Sequence, residues 1–219
     1  ATAISGISGL TVAGIRALAT ADIALTTAEI SSLTSVQIAA MSTAQVVALN
    51  TTAISSLSTS AINSFSVNQI FALITAQIAA LTTQEVNVLK NTQVAALGTN
   101  QVSSLTTDQV VALSTGQFSK LTTSQVAAMT TGQVASIESD DLLSLSSIQI
   151  GALKTSQLNA ISANDFSTLK ASQIKGLSTG QMAGLTTDQV VAITTDQVKV
   201  LTTTPVSYTH LRAHETGRN

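Results

Sequence analysis

Apolar residues recur along this chain with a period of eight. One series runs Leu25, Leu33, Met41, Leu49, Leu57, Phe65, Leu73 and Leu81, and continues in step to Leu185, Ile193 and Leu201. A second runs Ile30, Ile38, Val46 and Ile54 through Val190, Val198 and Val206. The register slips once, by one residue, between Leu18 and Leu25; before it, Ile7, Leu10, Ile15 and Leu18 keep the same spacing. The octad reads Leu, Ser/Thr, Thr, variable, Gln, Val/Ile, variable, Ala/Ser, and Leu121-Thr122-Thr123-Ser124-Gln125-Val126-Ala127-Ala128 is a clean copy. A fixed short period over most of a chain is the mark of a repeat architecture.

The period selects the element. In one continuous helix an eight-residue stripe drifts by about 80° per copy and forms no face. In a strand, the steps of five and three between the two series send them to opposite faces. A short helix satisfies both. Ser/Thr at the second position with Gln or Glu three residues later is a capping box, as in Thr82/Glu85, Thr106/Gln109, Thr122/Gln125, Thr186/Gln189 and Thr194/Gln197. Asp108, Asp188 and Asp196 fall in the first turn, where a carboxylate complements the helix dipole. Val and the following Leu, three apart, share a face. The pattern therefore predicts an all-α solenoid with one helix of about two turns per octad, ended by the next Thr pair; a β-solenoid is the alternative fold. Burying one Leu and one Val falls short of ordering eight backbone residues, so copies stabilise one another by stacking. The small eighth position (Ala40, Ala48, Ala96, Ala112, Ala128) lets turns approach closely, and the fourth and seventh positions face outward. The array is expected over residues 1–205, with residues 206–219 as a separate tail.

Composition narrows the functions. Of 219 residues only 9% are charged, 2% are aromatic and none is Cys. A net charge of −2, with Arg16, Arg212 and Arg218 as the only arginines, excludes the basic face that nucleic-acid binding or a polybasic membrane patch requires. Although no Asp, Glu, Lys or Arg lies between Glu29 and Glu85, Ser, Thr, Asn or Gln interrupts every few positions, which argues against a membrane span. No signal-peptide pattern opens the chain, since Ala1 already lies in the repeat.

Candidate chemistry is sparse. His210 and His214 have the spacing of two zinc ligands on a helix, but Leu211 stands where a zinc protease carries Glu. Glu138, Asp140 and Asp141 form the densest acidic cluster, which could bind Ca²⁺ or serve acid–base work; Asp141, like Asp165, occupies the Gln position, and a capping role accounts for both. No His precedes residue 210 to activate a serine or threonine. Gly98, Gly116, Gly132 and Gly180 are scattered singly, unlike a phosphate loop. The Gln series (Gln93, Gln101, Gln109, Gln117, Gln125, Gln133) reads as caps before it reads as a ligand array. Thr107, Thr115, Thr123 and Thr131 recur in register and keep ice or surface binding as a minor alternative, and a repeat binding module, adhesive in kind, with its ligand across the fourth and seventh positions is the alternative to a spacer. No catalytic residue, cofactor or metal site is expected, and the chain is read as a non-enzyme.

Three resemblances add to this. Leu185-Thr-Thr-Asp-Gln-Val-Val-Ala-Ile193 resembles the first helix of the repeats of transcription-activator-like effectors; the base-reading loop and second helix are missing, so the likeness implies a shared capped-helix solution without DNA binding. The array over residues 1–205 resembles the LTTxQVxA stretches of very large bacterial surface or secreted proteins, often adhesin-like, which implies an extracellular spacer, stalk or surface-presenting segment. The tail Val206-Ser-Tyr-Thr-His-Leu-Arg-Ala-His-Glu-Thr-Gly-Arg-Asn219 resembles translated adapter ends in metagenomic reading frames, which implies an artefact. With no capping repeat in view, end-to-end self-association is expected.

Overall fold

The computed structural model describes residues 9–23 and 27–202. The tail 206–219, with His210 and His214, lies outside the described residues, as does part of the register slip before Leu25. Among the described residues there are α-helices and short 3₁₀ turns, and no strand. The all-α solenoid of short helices is the observed fold.

Most octads fold in the same way. The second-position residue is extended (Thr122, φ −74°, ψ 160°) and its hydroxyl accepts from the backbone N–H three residues on. The helix then runs from the third position, as in Thr123–Ala128, and the following apolar residue is extended again (Met129, φ −57°, ψ 147°) while its N–H donates to the Val126 carbonyl. The helices from Val12–Ala17 to Thr187–Ala192 span four to six residues; Thr195–Thr202 has eight. Two expectations are corrected here. The helix is a single turn or a little more, not two. The leucine-position residue ends it, before the Thr pair is reached, because that residue and the next are both extended and turn the chain toward the next helix. The leucine side chain thus comes from the link and the valine side chain from the helix, yet both enter one core.

That core is regular. The sixth position is fully buried from Ile38 to Ile174, whether it holds Val, Ile, Leu or the larger Phe118 and Phe166, and the first position is nearly so. Completely burying each such side chain contributes roughly 1.5–3 kcal/mol. The fourth position is exposed, as at Asp108, Ser124 and Asn164, and the seventh is exposed or half-buried.

The chain divides into two compact units, Ala1–Leu121 and Thr122–Asn219. In the first, each helix packs against the helix three octads later: Ser35–Ala40 on Thr59–Ser64, Thr43–Ala48 on Val67–Ala72, and Thr83–Asn87 on Thr107–Val111. In the second, Ser139–Ser144 packs on Ala163–Thr168 and Ala171–Lys175 on Thr195–Thr202 by the same rule. Close approach falls where the small eighth position was expected to allow it. A Cβ added at Gly176 would lie 2.4 Å from the Ser147 carbonyl oxygen, and one at Gly184 would lie 2.4 Å from the Thr155 methyl group.

Candidate functional site

Among the described residues the buried polar side chains stand at the fifth position, and apart from Glu85 and Asp141 they are glutamines that do more than cap. Around Gln109, the Thr106 N–H donates to Oε1 at 2.8 Å while the Gln109 N–H donates to Thr106 Oγ1 at 3.1 Å. That is the local box the spacing predicts. The amide nitrogen then crosses to an earlier turn, where Nε2 donates to the Ile78 carbonyl at 2.9 Å and the Leu81 carbonyl at 2.6 Å, 31 and 28 residues back. Gln101 bridges to Ile70 and Leu73 in the same way, and Gln117 to Val86 and Leu89. In the second unit Gln157 reaches Val126 and Met129, Gln173 reaches Leu142 and Leu145, and Gln197 reaches Phe166 and Leu169.

Helices therefore stack on the third octad along while the amides reach back to the end of the fourth octad and the start of the third, so each superhelical turn takes between three and four octads. The bridged sixth-position carbonyl also accepts from the next leucine-position N–H, as Ile78 does from the Leu81 N–H at 3.2 Å; two lone pairs allow both. A buried amide would be costly if left unpaired, and here its oxygen and both its hydrogens are engaged. This inter-turn bridge is what sequence reasoning missed. Its signal was present: a capping box accepts Glu as readily as Gln, but only Gln carries a donor, and Gln fills this position in most octads.

The exceptions follow from the same chemistry. Ile74, Lys90, Gly98, Lys154 and Lys170 stand at the cap without a capping side chain, yet each donates its N–H to the glutamine Oε1. At Glu85, Oε2 accepts from the Thr82 N–H at 2.6 Å while the buried Oε1 has no partner. Burial pushes this carboxyl above the usual range, against the opposing bonds from the Thr82 backbone and hydroxyl.

The acidic candidates separate. Asp141 is buried at the fifth position, whereas Glu138 and Asp140 are exposed. Among the described residues no three of His, Cys, Asp and Glu come together as a metal site would require. Asp165 is more than a cap: its carboxylate accepts from the Ser162 hydroxyl and, across turns, from the Ser139 hydroxyl. The shorter side chain leaves no box to the Ser162 N–H and serves as an inter-turn bridge instead. Thr107 and Thr115 are exposed on consecutive helices that stack on different neighbours, Thr83–Asn87 and Asn91–Ala95 respectively, so they do not share one stacked column.

The sequence model of the ALTTAQ repeat matches residues 15–51, 83–115, 134–171, 160–195 and 168–203, together more than half of the chain. The chain belongs to the ALTTAQ repeat family. Read as residues, those letters run from the eighth position of one octad to the fifth of the next, as in Ala72-Leu73-Ile74-Thr75-Ala76-Gln77. The ALTTAQ name thus spans the small contact residue, the core leucine, the cap and the bridging amide. None of the curated proteins matches the chain. Among the described residues no helix of this ALTTAQ array is long and apolar enough to cross a membrane.

Proposed function

We propose that this ALTTAQ array is a non-catalytic scaffold: an extended stalk or spacer segment of a larger bacterial surface or secreted protein. The observation that carries the reading is the use made of the buried polar groups. Where a catalytic or ligand-binding array would keep some of them free for chemistry, the glutamine amides are engaged in joining turn to turn. The outward fourth position shares no side-chain chemistry from copy to copy: Asp108, Gly116, Ser124, Gly132 and Asp140 follow one another there. The resemblance to LTTxQVxA stretches of bacterial surface proteins supports the extracellular setting, and the low charge supports a role without nucleic acid or membrane insertion.

A scaffold gains reach one turn at a time. Duplicating four octads should raise the maximum dimension in small-angle scattering by roughly 8–10 Å, one helix-packing distance. A dimension that stays constant as octads are added would overturn the scaffold reading. For the location, protease treatment of intact cells of the encoding organism should release array fragments; full protection until lysis would refute a surface position.

End-to-end association belongs to the same proposal. With only 9% of residues charged, such a contact would rest on apolar burial. Sedimentation at rising concentration should show assembly that persists in high salt, and a single monomeric species throughout would count against it.

A further inference from the structure

Glu85 departs from the ladder in charge, and the departure has a consequence for the turn beneath it. In the neighbouring octads, Gln77 Nε2 donates to Val46 and Leu49, and Gln93 Nε2 donates to Ile62 and Phe65. The same spacing of 31 and 28 residues sets the carbonyls of Ile54 and Leu57 before Glu85. A glutamine would present two N–H donors there; Glu85 presents Oε1, which is buried and unpartnered. An ionised carboxylate only accepts, so it would bring three acceptor oxygens together with no hydrogen among them. Compensating charge is remote. Thr59–Ser64 and Thr107–Val111, the helices packed on Thr83–Asn87, carry between them only Asp108, which is exposed; Thr51–Ile54 and Asn91–Ala95 carry none, and Lys90 in the following link is exposed.

We infer that Glu85 is held as the neutral carboxylic acid, its Oε1 hydroxyl donating to a carbonyl of the preceding turn, and that this makes one joint of a ladder built mainly of uncharged amides pH-sensitive. Oε2 keeps the cap on Thr82 N–H, and the proton on Oε1 replaces one of the two missing amide hydrogens. The direction agrees with the effect of burial, which raises this carboxyl. Because the folded value lies above the unfolded one, the contribution is fully present below the unfolded value. It is lost as pH rises through the folded value. The joint therefore loosens toward alkaline pH, whereas a glutamine joint does not titrate.

Two measurements on the full chain test this. Carbon-13 NMR should show the Glu85 carboxyl, assigned through its own backbone, titrating above the exposed carboxylates. Thermal unfolding of the parent and Glu85→Gln chains from pH 4 to 8 should give midpoints that are close in acid and diverge as pH rises, with the Gln chain higher. Titration of Glu85 together with the exposed carboxylates would overturn the inference. So would a midpoint difference that is constant across the range. Should Glu85→Gln not fold, the NMR titration of the parent chain decides alone.

Discussion

At Gly176 an added methyl group would meet the Ser147 carbonyl oxygen at 2.4 Å, whereas at Gly180 nothing lies within 4 Å. The pair separates space from chain entropy. Gly176→Ala should lower stability by about 1–3 kcal/mol through overpacking against backbone that cannot move aside. Gly180→Ala should raise it by roughly 0.4–1 kcal/mol by restricting the unfolded chain. Chemical denaturation of both variants checks this, and equal effects would deny that the turns meet at the eighth position. The glutamines permit a second test. Gln109→Ala removes the amide and leaves the Thr106 N–H without its side-chain acceptor, as well as two carbonyls without their bridge; a loss of about 1–3 kcal/mol is expected for such buried groups. From the sequence the cap was legible at this scale, because Thr106 and Gln109 lie three residues apart. The bridge to Ile78 and Leu81 was not, because nothing local says which carbonyls lie opposite the amide.

The helices of this array are too short to hold themselves, and a single turn depends on its ends. Thr122→Ala should cost about 1 kcal/mol, the usual worth of a capping hydroxyl. The reverse change is available at Lys90, where the cap position carries no capping hydroxyl although its N–H already donates to Gln93. Lys90→Thr should therefore stabilise by a similar amount, measurable as a raised unfolding midpoint, and a lowered midpoint would contradict the assignment of caps. Helix starts were readable from Ser/Thr spacing. Helix ends were not. Leu105 and Met129 continue the apolar pattern of a helix but are extended at ψ 140° and 147°, since their backbone is set by the need to turn into the next octad.

Across each unit, stability is a sum of near-identical joints, and a whole octad is the natural unit of change. Deleting residues 105–112 leaves every remaining position in phase, because the octads before and after it present the same residue types. The shortened chain should keep a helical circular-dichroism spectrum and a cooperative transition. Deleting residues 105–108 alone displaces the apolar series by half a period over all that follows, and should abolish much of the helical signal. Comparable spectra for the two deletions would show that phase does not matter. This tolerance to whole copies is also what a scaffold of variable length requires.

The period of eight, the choice of helix over strand, the caps and the buried pair of apolar positions were fixed by the chain alone, since each depends on residues no more than eight positions apart. The number of octads per turn depends on the angle that each extended Leu–Thr link imposes, summed over three or four copies, and that angle is written in no single residue. The pairing of Gln109 with Ile78 and Leu81, of Asp165 with Ser139, and the stranded oxygen of Glu85 all follow from it. Tertiary structure decided them because a buried hydrogen bond needs its partner brought from some 30 residues away.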